Sequence, residues 1–163
     1  MKEAIASPFL RVFLGGVLIV FLALVIQSDR YLGLGIPTIL NSFAFPSGVQ
    51  DFLLKILFTV ITLSVGFKGG EVTPLFFIGA TLGSFLSIFL GLPTGLLAGM
   101  GFVAVFAGAA NVPLASLFLA VEMFGATPGI YMAIAILTSY VFSGHHGIYS
   151  SQKIEVPKYA QKN

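Results

Sequence analysis

The chain has 163 residues, of which 57% are hydrophobic and 9% charged. Soluble domains carry about 25% charged residues. No Asp, Glu, Lys or Arg lies between Glu71 and Glu122, and none between Glu122 and Lys153. A surface without charge excludes a water-soluble fold for this stretch and points to lipid as its solvent. The net charge of +2 is small and its cations are scattered, so nucleic acid is not an expected partner. There is no cysteine, so disulfides play no part.

In chain order, the first apolar segment runs from Pro8 to Ile26 and closes at the polar Gln27-Ser28-Asp29-Arg30. Those four residues do not read as a small-residue cleavage site, so the segment is expected to be a membrane helix and not a signal peptide. Tyr31 to Phe45 is broken by Gly33, Gly35 and Pro37, with room for a short helix from Pro37. Asp51 to Phe67 is the second apolar segment, with Lys55 near its start; Lys68-Gly69-Gly70-Glu71 interrupts it. The third runs from Val72 to about Leu90, and Leu92-Pro93-Thr94-Gly95 forms a turn. The fourth, from Gly95 to Ala110, is rich in Gly and Ala. Asn111-Val112-Pro113 reads as a helix start capped by Asn111, leading to Met123. A last helix follows Pro128 and ends near Phe142. Residues 1–152 are expected to form a membrane domain and 153–163 a short basic cytoplasmic tail.

Several of these pieces are shorter than the ~20 residues that cross a bilayer squarely. Irregular backbone at membrane depth is tolerated only where protein or water covers it. The expectation is an all-α, multi-pass bundle of short, broken and tilted helices around a polar site, as in transporters. Gly79 with Gly83, and Gly95 with Gly99, share helix faces and suit close packing.

The strongest chemical signal is Gly69-Gly70-Glu71-Val72-Thr73-Pro74. Two glycines allow close approach to the backbone, and a long uncharged helix follows. Its first N–H groups have no helical acceptor, and the helix dipole adds partial positive charge. At membrane depth such an end suits an anion stripped of water. Glu71 has two readings: it complements the dipole, or it links proton to anion. Ionised, it repels the anion or takes its place; protonated, it donates a hydrogen bond to it. Thr73 offers a hydroxyl to the anion or to the helix start.

Elsewhere the chemistry is sparser. Glu122, late in a short helix, reads as a structural acid hydrogen-bonded to backbone or to a facing helix. His145-His146 cannot share one helical face and lack a third ligand, so a solvated loop is expected and no metal. Tyr149 is an interfacial anchor or an uncharged donor to an anion. No paired intramembrane aspartates and no Ser-His arrangement suggest an enzyme, and no cofactor is implied.

With these motifs in order, the sequence resembles the CLC family of chloride channels and proton-coupled anion antiporters. Gly69-Gly70-Glu71-Val72-Thr73-Pro74 stands where that family has Gly-Gly-x-Phe-x-Pro. Asn111-Val112-Pro113-Leu114, Val121-Glu122-Met123 and Gly147-Ile148-Tyr149-Ser150 follow at fitting intervals. The resemblance implies an anion site of Gly70, Glu71, Val72, Thr73 and Tyr149, with the amides of Glu71 and Val72 and the hydroxyl of Tyr149 facing the ion. It also implies a homodimer through helices at about 113–123 and 128–142. Glu71 and Val72 depart from the chloride pattern and resemble the bacterial fluoride-exporting branch, where the Glu and Thr are implicated in fluoride handling and proton coupling. The expected function is fluoride/proton antiport across the inner membrane, with chloride transport as the runner-up. The family's filter and gating segments have no counterpart here, so a missing N-terminal half of the transporter is an expected partner. A non-transporting piece that only dimerises is the remaining alternative.

Overall fold

The computed structural model describes residues 7–145, 147–149 and 152. Among them are seven α-helices: α1 (Pro8–Ile26), α2 (Ile36–Ala44), α3 (Val49–Val65), α4 (Val72–Leu90), α5 (Thr94–Ala110), α6 (Pro113–Phe124) and α7 (Gly129–Phe142). The expected break points recur almost to the residue, because Gly and Pro mark them. Pro8, Pro37 and Pro113 stand at the starts of α1, α2 and α6, where a missing N–H costs nothing. Gly66 and Gly91 end α3 and α4 in the left-handed conformation.

One expectation fails. Asn111 does not cap α6; it terminates α5 with φ 56°, and Val112 is the residue that precedes α6. Asn tolerates the left-handed region, and an N-cap needs a different backbone, so a single Asn serves the end of one helix and not the start of the next.

The bundle is organised around the antiparallel pair α4 and α5. α7 and α6 pack on α5, α3 and α2 pack on α4, and α1 rests on α3. The α4–α5 seam is backbone against backbone. A methyl group at Gly79 would strike the carbonyl oxygen of Gly101, and one at Gly83 the carbonyl oxygen of Leu97. Gly79 and Gly83 do share a packing face, as their spacing predicts, but the glycine facing them is Gly101. Gly95 lies instead near Phe43 of α2, and Gly99 under Met132 of α7. Small residues let dispersion act over the full helix length, which matters where lipid removes the hydrophobic drive to associate.

Rings fill the space beside this seam. Phe76 of α4 stacks on Phe102 of α5 at 4.0 Å between centroids, and Phe43 and Phe124 close around Phe102. Polar groups inside are satisfied locally. The hydroxyls of Ser42, Thr59, Thr62, Thr81 and Ser116 donate to the carbonyl four residues earlier, at 2.7–2.9 Å. Ser84 donates to Phe45 O at 2.9 Å and accepts from Ser47 N at 3.0 Å, which ties the α2–α3 link to α4.

The exterior is apolar. Phe9, Phe13 and Leu24 on α1, and Ile130, Ile134 and Phe142 on α7, are all exposed. α1 and α4 are long and apolar enough to cross a membrane. α6, with 12 residues, is too short to do so; at ~1.5 Å per residue it covers about 18 Å of a core about 30 Å thick. Residues 153–163, expected to form a basic tail, lie outside the described residues.

Gly83→Leu is expected to destabilise the protein by about 1–3 kcal/mol or to prevent folding, because the side chain has no room against α5. Gly16→Ala, whose added methyl meets only the Phe67 ring at 3.7 Å, should hold or raise stability. Thermal unfolding in detergent distinguishes the two.

Candidate anion site

The segment between α3 and α4 is held at both ends and open in the middle. At its start, Arg11 of α1 donates Nε to the carbonyl of Val65 at 3.2 Å, placing a cation on the negative end of α3. Gly15 packs α1 onto the same residue, where a methyl group would come within 2.6 Å of the Val65 side chain. At its end, α4 begins at Val72 with Glu71 in the N-cap position. In between, Gly69 and Gly70 are exposed, and a methyl group on either would meet nothing within 4 Å. The space around these glycines is open, unlike that at the glycines of the α4–α5 seam.

The helix start itself has donors to spare. Among the described residues, the amides of Glu71, Val72 and Thr73 reach no protein acceptor. Pro74 has no N–H, so the donor set ends at Thr73. Thr73 and Glu71 are half-buried, and neither side chain has a hydrogen-bonding partner among the described residues. The contrast with the five back-bonded hydroxyls is informative: those have a helical carbonyl four residues earlier, and Thr73, in the first turn, does not. The structure therefore brings Gly70, Glu71, Val72 and Thr73 into one turn with unspent donors.

A cavity of about 460 Å³ adjoins this turn. Gly69, Gly70 and Pro74 form one wall, and α1, the 31–34 link and α3 form the others. Lys55 of α3 also lines it. This lysine is 2% exposed. Its Nζ donates to Gly33 O at 2.7 Å and Tyr31 O at 3.1 Å, and lies 4.9 Å from the centre of the Phe77 ring. Gly35, with φ 67°, passes so close to that ring that any side chain there would clash with it.

Asp51, one turn earlier on α3, does not pair with Lys55. It accepts from Tyr31 Oη at 2.9 Å and Gly48 N at 3.1 Å, and Arg30 stands 3.7 Å away. Tyr31 lies on the link between α1 and α2. Burial, followed by the Asp51 carboxylate, pushes its phenol up to about 12, so it remains a donor at physiological pH. Sequence reasoning passed over this cluster. The signal was present: two ionisable residues four apart in an apolar segment face inward more often than outward.

Tyr149 lies beyond α7 and, like Glu71, Val72 and Thr73, is not among the residues that line the cavity. The chain after α7 folds back on the end of α5, with Ile148 N donating to Ala109 O at 2.8 Å and Asn111 Nδ2 to His145 O at 3.3 Å. Tyr149 is 44% exposed and does not line the cavity. His145 is half-buried, and His146 lies outside the described residues. No cluster of three metal-binding side chains occurs among the described residues. Glu122 departs from its expected structural role. It is exposed on α6, without a hydrogen bond among the described residues, because it falls on the helix face turned away from α5 and α7.

Comparison with known proteins bears on these arrangements. The family model described as voltage gated chloride channel matches residues 1–144. A chloride/fluoride channel protein of Pseudomonas syringae pv. tomato is 52% identical over 160 residues, which are 94% of this chain and 35% of that protein. A crystal structure of a CLC-type fluoride/proton antiporter superposes with a TM-score of 0.83 and 38% identity, over 87% of this chain and 36% of that one. The chain thus spans about a third of the length of the relatives it matches. Extent of match, helix arrangement and the Gly69–Pro74 helix start agree: this chain is a multi-pass helical membrane protein and belongs to the voltage-gated chloride channel (CLC) family.

Proposed function

We propose that this chain forms one wall of a CLC-type fluoride/proton antiporter that exports fluoride across the inner membrane. The observation that carries the reading is the turn Gly70–Thr73: three free amides, a free hydroxyl and a free carboxyl behind two open glycines. Its likeness to one protein named a chloride/fluoride channel and another named a fluoride/proton antiporter supports the same reading.

The chemistry follows from the donors. Fluoride is small and a strong hydrogen-bond acceptor, so leaving water is costly unless several short hydrogen bonds replace it. The amides of Glu71 and Val72 and the hydroxyl of Thr73 supply fixed donors at the positive end of α4. Glu71 adds the proton dependence. Its carboxylate form competes with the anion for the same amides, and its acid form donates to the anion. Anion occupancy at the turn is thereby tied to the protonation of one side chain. Tyr149 belongs to the proposed pathway as an uncharged donor, reaching the anion from the chain that follows α7.

The remaining walls lie in the part of the pathway that this chain does not span. α6 and α7 present Leu114, Phe118, Ile130, Ile134 and Leu137 outward, an apolar face that suits a second copy.

The test is ion flux through the full-length protein in liposomes, followed with fluoride and proton electrodes. Fluoride efflux with proton uptake is expected; chloride flux without fluoride flux would reject the fluoride assignment. Glu71→Gln should abolish proton movement, and unchanged coupling would remove Glu71 from the mechanism. Thr73→Val is expected to weaken fluoride affinity about ten-fold, the worth of one hydrogen bond to a charged acceptor.

A further inference from the structure

We propose that Lys55 is the fixed cation of an anion vestibule, setting how strongly the cavity beside Gly69 and Gly70 attracts the transported ion. This inference rests on the anion-transport reading above and assigns a residue to which that reading gives no role.

Three observations carry it. First, Lys55 is the sole charged side chain lining the cavity among the described residues. The other polar side chains are accounted for: the hydroxyls of Thr59 and Thr62 are spent on the carbonyls of Lys55 and Phe58, and Tyr31 donates to Asp51. Second, the ammonium has neutral partners, two carbonyl oxygens and a ring face. The nearby carboxylate of Asp51 is engaged with Tyr31, Gly48 and Arg30. A buried ammonium held by neutral acceptors, with no carboxylate paired directly to it, keeps part of its positive field. Third, the same cavity reaches Gly69, Gly70 and Pro74, the residues on either side of the Glu71–Thr73 amides, so an anion on its way to that turn passes through the field of Lys55. An anion entering the cavity supplies the counter-charge that Lys55 lacks. The apolar walls keep the dielectric low and so preserve the effect over several ångströms.

Lys55 also has a clamping role, since its hydrogen bonds hold the 31–33 link over α3. The experiment separates charge from clamp by comparing Lys55→Gln, Lys55→Met and Lys55→Arg in the full-length protein in liposomes. The readouts are the fluoride KM for transport and the melting temperature. Gln keeps a donor but no charge, Met keeps neither, and Arg keeps both.

If the charge matters, Gln and Met both raise KM about ten-fold, the scale of a partly screened charge across several ångströms, and Arg leaves it within about two-fold. A rise with Met alone, or equal KM in all variants, overturns the proposal and leaves Lys55 a clamp. If Arg does not fold, the comparison of Gln with Met decides alone. KM is read at constant pH without reference to proton flux. Intact proton coupling in Glu71→Gln would therefore reject the Glu71 mechanism and leave this outcome standing. Absence of any anion flux from the unaltered protein would reject both.

Discussion

A backbone amide without a partner costs several kcal/mol in hydrocarbon, and the whole bundle is arranged around that cost. Helices satisfy their interiors, and buried Ser and Thr return their hydroxyls to the same helix. Breaks between helices are closed by left-handed caps or tied to neighbours, as Ser84 ties the α2–α3 link. The start of α4 adds something to the open first-turn amides that other helix starts here also have. Its threonine and its glutamate are without partners among the described residues, and two unobstructed glycines precede them.

The positions of the helices were legible because Pro and Gly act locally. Proline removes an N–H whatever lies around it, so Pro8, Pro37 and Pro113 mark helix starts from sequence alone, whereas the left-handed ends at Gly66 and Gly91 lie one residue from the ends expected at Phe67 and Leu90. Asn111 was ambiguous for the same reason: its side chain suits a helix start and its backbone suits a helix end, and the close succession of α5 and α6 decided for the end. The helix start at Gly69–Pro74 was legible as chemistry because its donors belong to consecutive residues.

What needed three dimensions was every pairing between distant residues. Gly79 and Gly83 advertise a close contact without saying with what, and Gly101 is found opposite only once α4 and α5 are antiparallel. Lys55 looks like a stray charge near a helix start until the 31–33 carbonyls and the Phe77 ring are folded around it. Glu122 looked structural because acids in apolar segments usually turn inward, yet its position on α6 turns it outward.

The α4–α5 hairpin is closed by only three residues, Gly91, Leu92 and Pro93. Its glycine seam is therefore made of contacts near in sequence, which cost little loop-closure entropy to bring together. That hairpin can assemble as a unit as it enters the membrane, before α6 and α7 emerge to pack on it. The helix that presents the open amides is then braced along its length by α5 before α6 and α7 pack on the pair.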